Sequence, residues 1–260
     1  MWKIAAGAAG DGYGPAAGDS GPGLTVHGEA EPEAGSPVSG GQTSGDQNSG
    51  AEGSEGPASG AGSFADYEPD AFPAYAGEPY VTVNGDVPYF SEEELTAAPF
   101  EEYGPLDELG RCTGAAACAG PETLPTAERE DVRSVRPSGY HNKKYSWIEG
   151  GYLYNRCHLI GYLLTGQNAN ERNLITGTRY LNIEGMKPFE DSVAQYIYGT
   201  RNHVLYRVTP VFEGSNPVAS GVLMEARSVE DPRVMFCVYC YNVQPGVVID
   251  YTTGWSRAAD

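Results

Sequence analysis

The residues best able to do chemistry lie between Tyr154 and Glu190, in the stretch YNRCHLIGYLLTGQNANERNLITGTRYLNIEGMKPFE. It carries Arg156, His158, Asn173, Asn182 and Glu190: a cation, a titratable base, two amides and a carboxylate. Together they suit metal-assisted attack of water on a phosphodiester. An imidazole with an ordinary pKa of about 6.5 can take a proton from water at neutral pH. Arg156, two residues earlier, would share a strand face with His158 and hold a phosphate there. An Asn side chain is a neutral oxygen ligand; Asn182 would hold a hard ion such as Mg²⁺ and leave most of its coordination to water and phosphate oxygens. The ion would neutralise developing charge and help the 3′ oxygen depart. Glu190, eight residues after Asn182, would hold the ion's waters. Asn173 would orient the imidazole or a neighbouring loop, or simply serve a turn.

Charge is divided unevenly along the 260 residues. The net charge of −19 lies entirely in the first 110 residues, which hold 20 acidic residues and one basic one, Lys3. The remainder is neutral, and from Arg136 to Arg207 there are 9 basic against 5 acidic residues. A polyanionic substrate is therefore compatible with the second half of the chain, although the overall pI is near 4.5. Between Arg133 and Trp147 cations alternate with rings, as a nucleic-acid surface would use them. Lys143 and Lys144, with Arg179 further on, are the candidate phosphate contacts.

The elements that must position these groups follow from periodicity. Residues 1–76 are Gly, Ala, Ser, Pro and acid, too poor in apolar side chains to offset their ordering entropy. They read as a disordered acidic linker, or as a polyanion mimic shielding a basic cleft. PYVTVNGDVPYF reads as a strand pair turning at Asn84-Gly85. Ser91 and Glu94 form a capping box that would open a short helix. Leu106 to Thr126 is turn-rich. Tyr152 to Leu164 is strand-like and carries Arg156 and His158. Thr176 to Ile183 reads as a short helix bearing Asn182, interrupted at Gly185. A second helix would start at Pro188 and stop at Gly199, burying Phe189, Val193, Tyr196 and Ile197. Four strand candidates follow in HVLYRVTPVF, ASGVLMEARSV, VMFCVYCYNV and VVIDYTTG, as an antiparallel meander on the helices. Five cysteines read as buried thiols or one disulfide; Cys237 and Cys240, three apart on a strand, point to opposite faces and so make a poor zinc pair.

From about Tyr80 to Gly254 the chain resembles the DNA/RNA non-specific endonucleases, in particular their streptococcal secreted and cell-surface branch, and more distantly the Serratia-type nuclease. The family hallmark Asp-Arg-Gly-His appears as Asn155-Arg156-Cys157-His158, followed by Leu159-Ile160-Gly161-Tyr162. TRYLN places the family's metal-ligand Asn at Asn182, PFED places its supporting Glu at Glu190, and NVQPGVVIDYTTG resembles the closing strands. The resemblance implies an α+β fold with a ββα-metal (His-Me finger) nuclease core and an antiparallel sheet, with residues 77–260 as the nuclease domain. It implies a His158 general base, one Mg²⁺ (Mn²⁺ can substitute), and cleavage of DNA and RNA leaving 5′-phosphate ends.

Two departures stand out. Asn155 replaces the Asp that would orient the base, and Cys157 replaces Gly beside it. A nucleic-acid-binding module of the same fold, with catalysis weakened or lost, is the competing expectation. A cysteine hydrolase is excluded, because Cys157 and His158 are neighbours on a strand and face opposite ways. No apolar run is long enough for a membrane-spanning helix. The leader and the family branch imply a secreted or cell-surface protein whose signal is absent from this sequence. An inhibitor or immunity partner leaves no signature here.

Overall fold

The computed structural model describes residues 64–260; the expectation of a disordered linker falls mostly on residues outside that range. In chain order the elements are β1 (Tyr80–Thr82), β2 (Phe100–Tyr103), β3 (Ala115–Ala119), β4 (Tyr154–His158), α1 (Tyr162–Thr165), β5 (Leu174–Thr178), α2 (Lys187–Thr200), β6 (Val204–Val211), β7 (Gly221–Ser228), β8 (Met235–Tyr241), β9 (Val247–Ile249) and β10 (Ser256–Ala258). Six strands form one antiparallel sheet in the order β1-β8-β7-β6-β3-β2, and β4-β5 and β9-β10 form two small sheets. The fold is mixed α+β.

The meander β6-β7-β8 is the centre of the large sheet, and its alternation decides both cores. Val204, Tyr206 and Val208, Val222, Met224 and Ala226, and Phe236, Val238 and Cys240 face one side. Val211, Tyr239 and Tyr241 face the other. The first side packs against α2 through Val193, Ala194, Tyr196 and Ile197, and against the β4-β5 unit through Cys157, Leu159, Ile160 and Ile175. Because both faces are covered, these strands read as nearly unbroken apolar runs. On β3 the core-facing residues are all alanines (Ala115, Ala117, Ala119), small enough to let neighbouring elements approach.

The second face is covered by the segment that precedes and follows β1. Phe72 stacks on Tyr239 at 4.2 Å, and Tyr241 Oη donates to the Pro73 carbonyl. Residues 64–76, which composition assigns to the linker, therefore lie against the sheet; their aromatics Phe64, Tyr67 and Phe72 supply the apolar area that the preceding Gly and Ser residues lack. A buried ion pair pins the same segment: Arg207 donates to both Glu225 oxygens at 2.8 and 3.1 Å, and the Tyr89 N–H donates to Glu225 Oε1 at 2.7 Å.

Several local expectations change. β1 pairs with β8 and not with residues after the Asn84-Gly85 turn. The Ser91–Glu94 capping box forms, with both reciprocal bonds, but encloses a single turn and no helix. Residues 174–178 are β5, so the helix carrying Asn182 starts later than Thr176. It is also continuous: Leu181–Met186 is a π-helical turn that runs directly into α2, with Gly185 inside it. α2 stops at Arg201, whose φ of 65° closes the end that Gly199 was expected to close. The fourth strand candidate leaves the meander and pairs as β9 with β10. All five cysteines are buried and free.

Candidate active site

β4 and β5 pair antiparallel, with His158 opposite Leu174 and Arg156 opposite Thr176. The chain then turns from β5 into the π turn and α2, so two strands and a helix enclose the candidate residues. A π turn holds one residue more than an α turn, and such insertions gather at functional sites. Here it presents Asn182.

His158 ends β4 and is 6% exposed. Its Nε2 lies 3.0 Å from the Asn168 carbonyl. A carbonyl only accepts, so Nε2 carries the proton and Nδ1 keeps its lone pair. Burial pushes the ring's pKa down to about 4; Arg129 acts in the same direction, against the Asn168 and Gln167 backbone, which favours the charged ring. The imidazole is thus neutral near pH 7, as a base must be.

Glu190 sits in the first turn of α2, partly buried. Burial raises its pKa to about 7, and neighbouring Asp191 adds to this; Lys187, Arg129 and the Gly161 backbone N–H pull it down. Its carboxyl group lies over Gly161, where an added Cβ would come within 2.9 Å of both oxygens. Asn182 is partly exposed, and its Oδ1 is 3.1 Å from Cys157 Sγ. Cys157 itself is 1% exposed, and burial holds its thiol well above the ordinary range, so it is a neutral donor.

Of the other predicted residues, Asn173 and Arg156 hold backbone segments and the two lysines stay exposed. Asn173 is fully buried, and both ends of its amide hold the backbone of Ile160: Oδ1 accepts from N–H at 2.9 Å and Nδ2 donates to the carbonyl at 3.0 Å. It therefore serves the loop after His158 and not the imidazole. Arg156, expected to anchor phosphate, donates instead to the Val135 carbonyl, the Tyr140 hydroxyl and the Arg133 carbonyl, with its guanidinium 4.5 Å over the Tyr140 ring. Those contacts fasten the 133–140 segment onto β4. Arg179 faces Glu149 at 3.4 Å. Lys143 and Lys144 are exposed, lying over the rings of Tyr145 and Tyr152, and Lys143 Nζ reaches the Ser256 carbonyl.

The residue that the sequence reading missed is Arg129. It is exposed and has no hydrogen bond or ion pair among the described residues, yet its charge acts on His158, Cys157 and Glu190 together. An exposed cation whose charge reaches a base and a carboxylate is suited to a phosphate. The only signal in the sequence is a lone Arg among acids in TAEREDVR, which has no periodicity to single it out.

The donor set limits which metal could be held. Among the described residues no group of three His, Cys, Asp or Glu side chains could cage an ion. One amide oxygen with a carboxylate nearby fits a hard ion that keeps its own waters, as Mg²⁺ does, better than a tetrahedral zinc cage.

Comparison with known proteins agrees with this architecture. The profile of a family described as DNA/RNA non-specific endonuclease matches residues 93–230, more than half of the chain. NucA from Streptococcus agalactiae, solved with a magnesium ion bound, superposes with a TM-score of 0.62 at 21% identity, covering 68% of this chain and 87% of that one. Its metal-free structure gives 0.62 at 22% identity over 72% and 89%. The Sda1 nuclease with bound zinc ion gives 0.57 at 26% identity, covering 62% of this chain and 80% of that one. The fold is that of the NucA-like ββα-metal nucleases.

Proposed function

The chain belongs to the DNA/RNA non-specific endonuclease family, and from that premise we propose that it is a divalent-metal-dependent endonuclease hydrolysing phosphodiesters of both DNA and RNA to 5′-phosphate ends. The observation that carries the reading is the state of His158: its proton is held on Nε2 by the Asn168 carbonyl, and its pKa lies well below neutrality. Nδ1 takes a proton from water as that water attacks phosphorus. Arg129 holds a non-bridging phosphate oxygen and offsets the charge that builds there. Asn182 would hold Mg²⁺, or Mn²⁺ in its place, through Oδ1. When bound, the ion supplies charge neutralisation for the phosphorane and the leaving 3′ oxygen. Glu190 accepts hydrogen bonds from water at that position and orients it. Gly161 keeps the carboxylate's place clear. Lys143, Lys144 and Arg179 contact flanking phosphates.

We further infer export, from the low-complexity acidic leader and the resemblance to the secreted and cell-surface branch of the family; separately, among the described residues no helix is long and apolar enough to cross a membrane. The test of the activity is digestion of single- and double-stranded DNA and RNA by the full chain, with Mg²⁺, Mn²⁺ or EDTA. All four substrates are expected to be cut with either ion and none with EDTA. His158→Ala should lower the rate by at least about 10²–10⁴-fold. Salt-sensitive binding without any cleavage would replace this reading with that of a silent nucleic-acid-binding module.

A further inference from the structure

We propose that Cys157 is a positioning residue for Asn182: its thiol donates to Oδ1 and so decides which end of the carboxamide faces the ion. The proposal rests on Asn182 being the metal-holding residue.

An Asn amide has two ends of nearly equal shape and opposite chemistry. Oδ1 has two lone pairs, whereas Nδ2 presents two N–H groups that a cation repels. The ends exchange by a half-turn about one bond, so something must choose between them. Among the described residues the Asn182 side chain has one hydrogen-bond partner, the Cys157 thiol at 3.1 Å. Sulfur is a weak acceptor, so the thiol discriminates in favour of the oxygen. With one lone pair of Oδ1 directed at the S–H, the other remains for the ion.

The surroundings are shaped for this contact. Cys157 lies next to His158 on β4 but faces the opposite way, into the core beneath the π turn. Its other acceptors are more distant, Met186 Sδ at 3.5 Å and the His158 carbonyl at 3.8 Å. On β5, diagonal to Cys157, Gly177 leaves the space that the side chain occupies: a Cβ there would lie 2.6 Å from Cys157 Cβ and 3.2 Å from Sγ. A thiol, a glycine diagonal to it on β5 and an inserted helical residue therefore converge on a single amide. The substitution of Cys for the hallmark Gly adds a constraint on the neighbouring amide without touching the base.

The experiment titrates Mn²⁺ alone, without nucleic acid, into the full chain and its variants, by calorimetry or by the loss of the free-ion EPR signal. Cys157→Ala removes the donor and leaves space; Cys157→Val removes the donor and fills the space; Cys157→Ser keeps a donor. Ala and Val should each weaken Mn²⁺ binding about 10-fold, within the range for loss of an orienting partner, and Ser should stay within about 3-fold. The Mg²⁺ activation midpoint should move in parallel, with kcat at saturating ion little changed. Wild-type affinity in Val would show that the thiol only fills space and would overturn the proposal, even if Ser fails to fold. Asn182→Ala separates the two levels. If it binds Mn²⁺ as tightly as the wild type, the metal assignment itself fails and this proposal falls with it. If it binds weakly while Cys157→Ala and Cys157→Val do not, only the positioning role fails.

Discussion

The Glu190 carboxyl group rests on the bare backbone of Gly161. A Cβ added at Gly161 would lie 2.9 Å from Cδ and from both carboxylate oxygens. The backbone of Gly161 is ordinary, with φ −59° and ψ 147°, a conformation open to any residue. Glycine is therefore required there for space and not for its conformational freedom. It lies three residues after His158 and caps the start of α1, so it links the base's strand to the acid's helix.

Gly161→Ala should displace the carboxylate, with a stability cost of about 1–3 kcal/mol from overpacking and a loss of turnover of about tenfold or more. In an Glu190→Ala background the same substitution should cost much less, because the clashing group is gone. Denaturant melts and initial rates of the four variants in that cycle give the coupling. Additive effects would show that the contact is incidental.

Asn173→Ala should act on stability before chemistry. It strands the N–H and the carbonyl of Ile160 in a buried place, each costing about 1–3 kcal/mol. The loss in unfolding free energy should be large, and the surviving folded fraction should keep its metal dependence. A folded, fully stable and inactive variant would return Asn173 to the catalytic group.

Removing the Arg129 charge should raise the pKa of both His158 and Glu190, since the cation lowers each. Arg129→Ala is expected to lower kcat/KM about 10²-fold, in line with losing one charge-stabilising donor, and to shift the acid limb of the pH profile upward. Arg129→Lys should recover part of the rate and most of the shift. Rates and profiles identical to the wild type would remove Arg129 from the site.

In metal-free protein the two desolvated titrating groups pull stability in opposite directions. The Glu190 pKa is raised from 4.5 to about 7 in the fold, so its contribution is complete below about 4.5 and is lost as pH rises through about 7. The His158 pKa is lowered from 6.5 to about 4, so its contribution is complete above about 6.5 and is lost as pH falls through about 4. Glu190→Gln should therefore gain melting temperature relative to the wild type between pH 4.5 and 7, by roughly 2–4 °C for each kcal/mol in a domain of this size. A difference that stays constant across that window would show that Glu190 titrates normally.

What the sequence determined by itself is local. Nearly unbroken apolar runs specified β6, β7 and β8, and the 3.6-residue stripe of Val193, Tyr196 and Ile197 specified α2, because burial leaves its pattern in the chain. The chemical identities of His158, Asn182 and Glu190 were legible for the same reason: they are carried by the residue itself.

Tertiary structure decided the partners. The pairing of β1 with β8 brings Tyr80 opposite Cys240, 160 positions away, and no local pattern encodes such a distance. Arg156 and Arg129 look alike in sequence; only the folded chain gives one guanidinium to the Val135 carbonyl and the Tyr140 ring and leaves the other exposed, with its charge acting on His158 and Glu190. Asn173 was ambiguous between base and loop until Ile160 came within 3.0 Å of its amide. A polar side chain announces what it can bond, but which donor or acceptor it meets depends on how distant segments close on one another, and that is settled by packing the whole core.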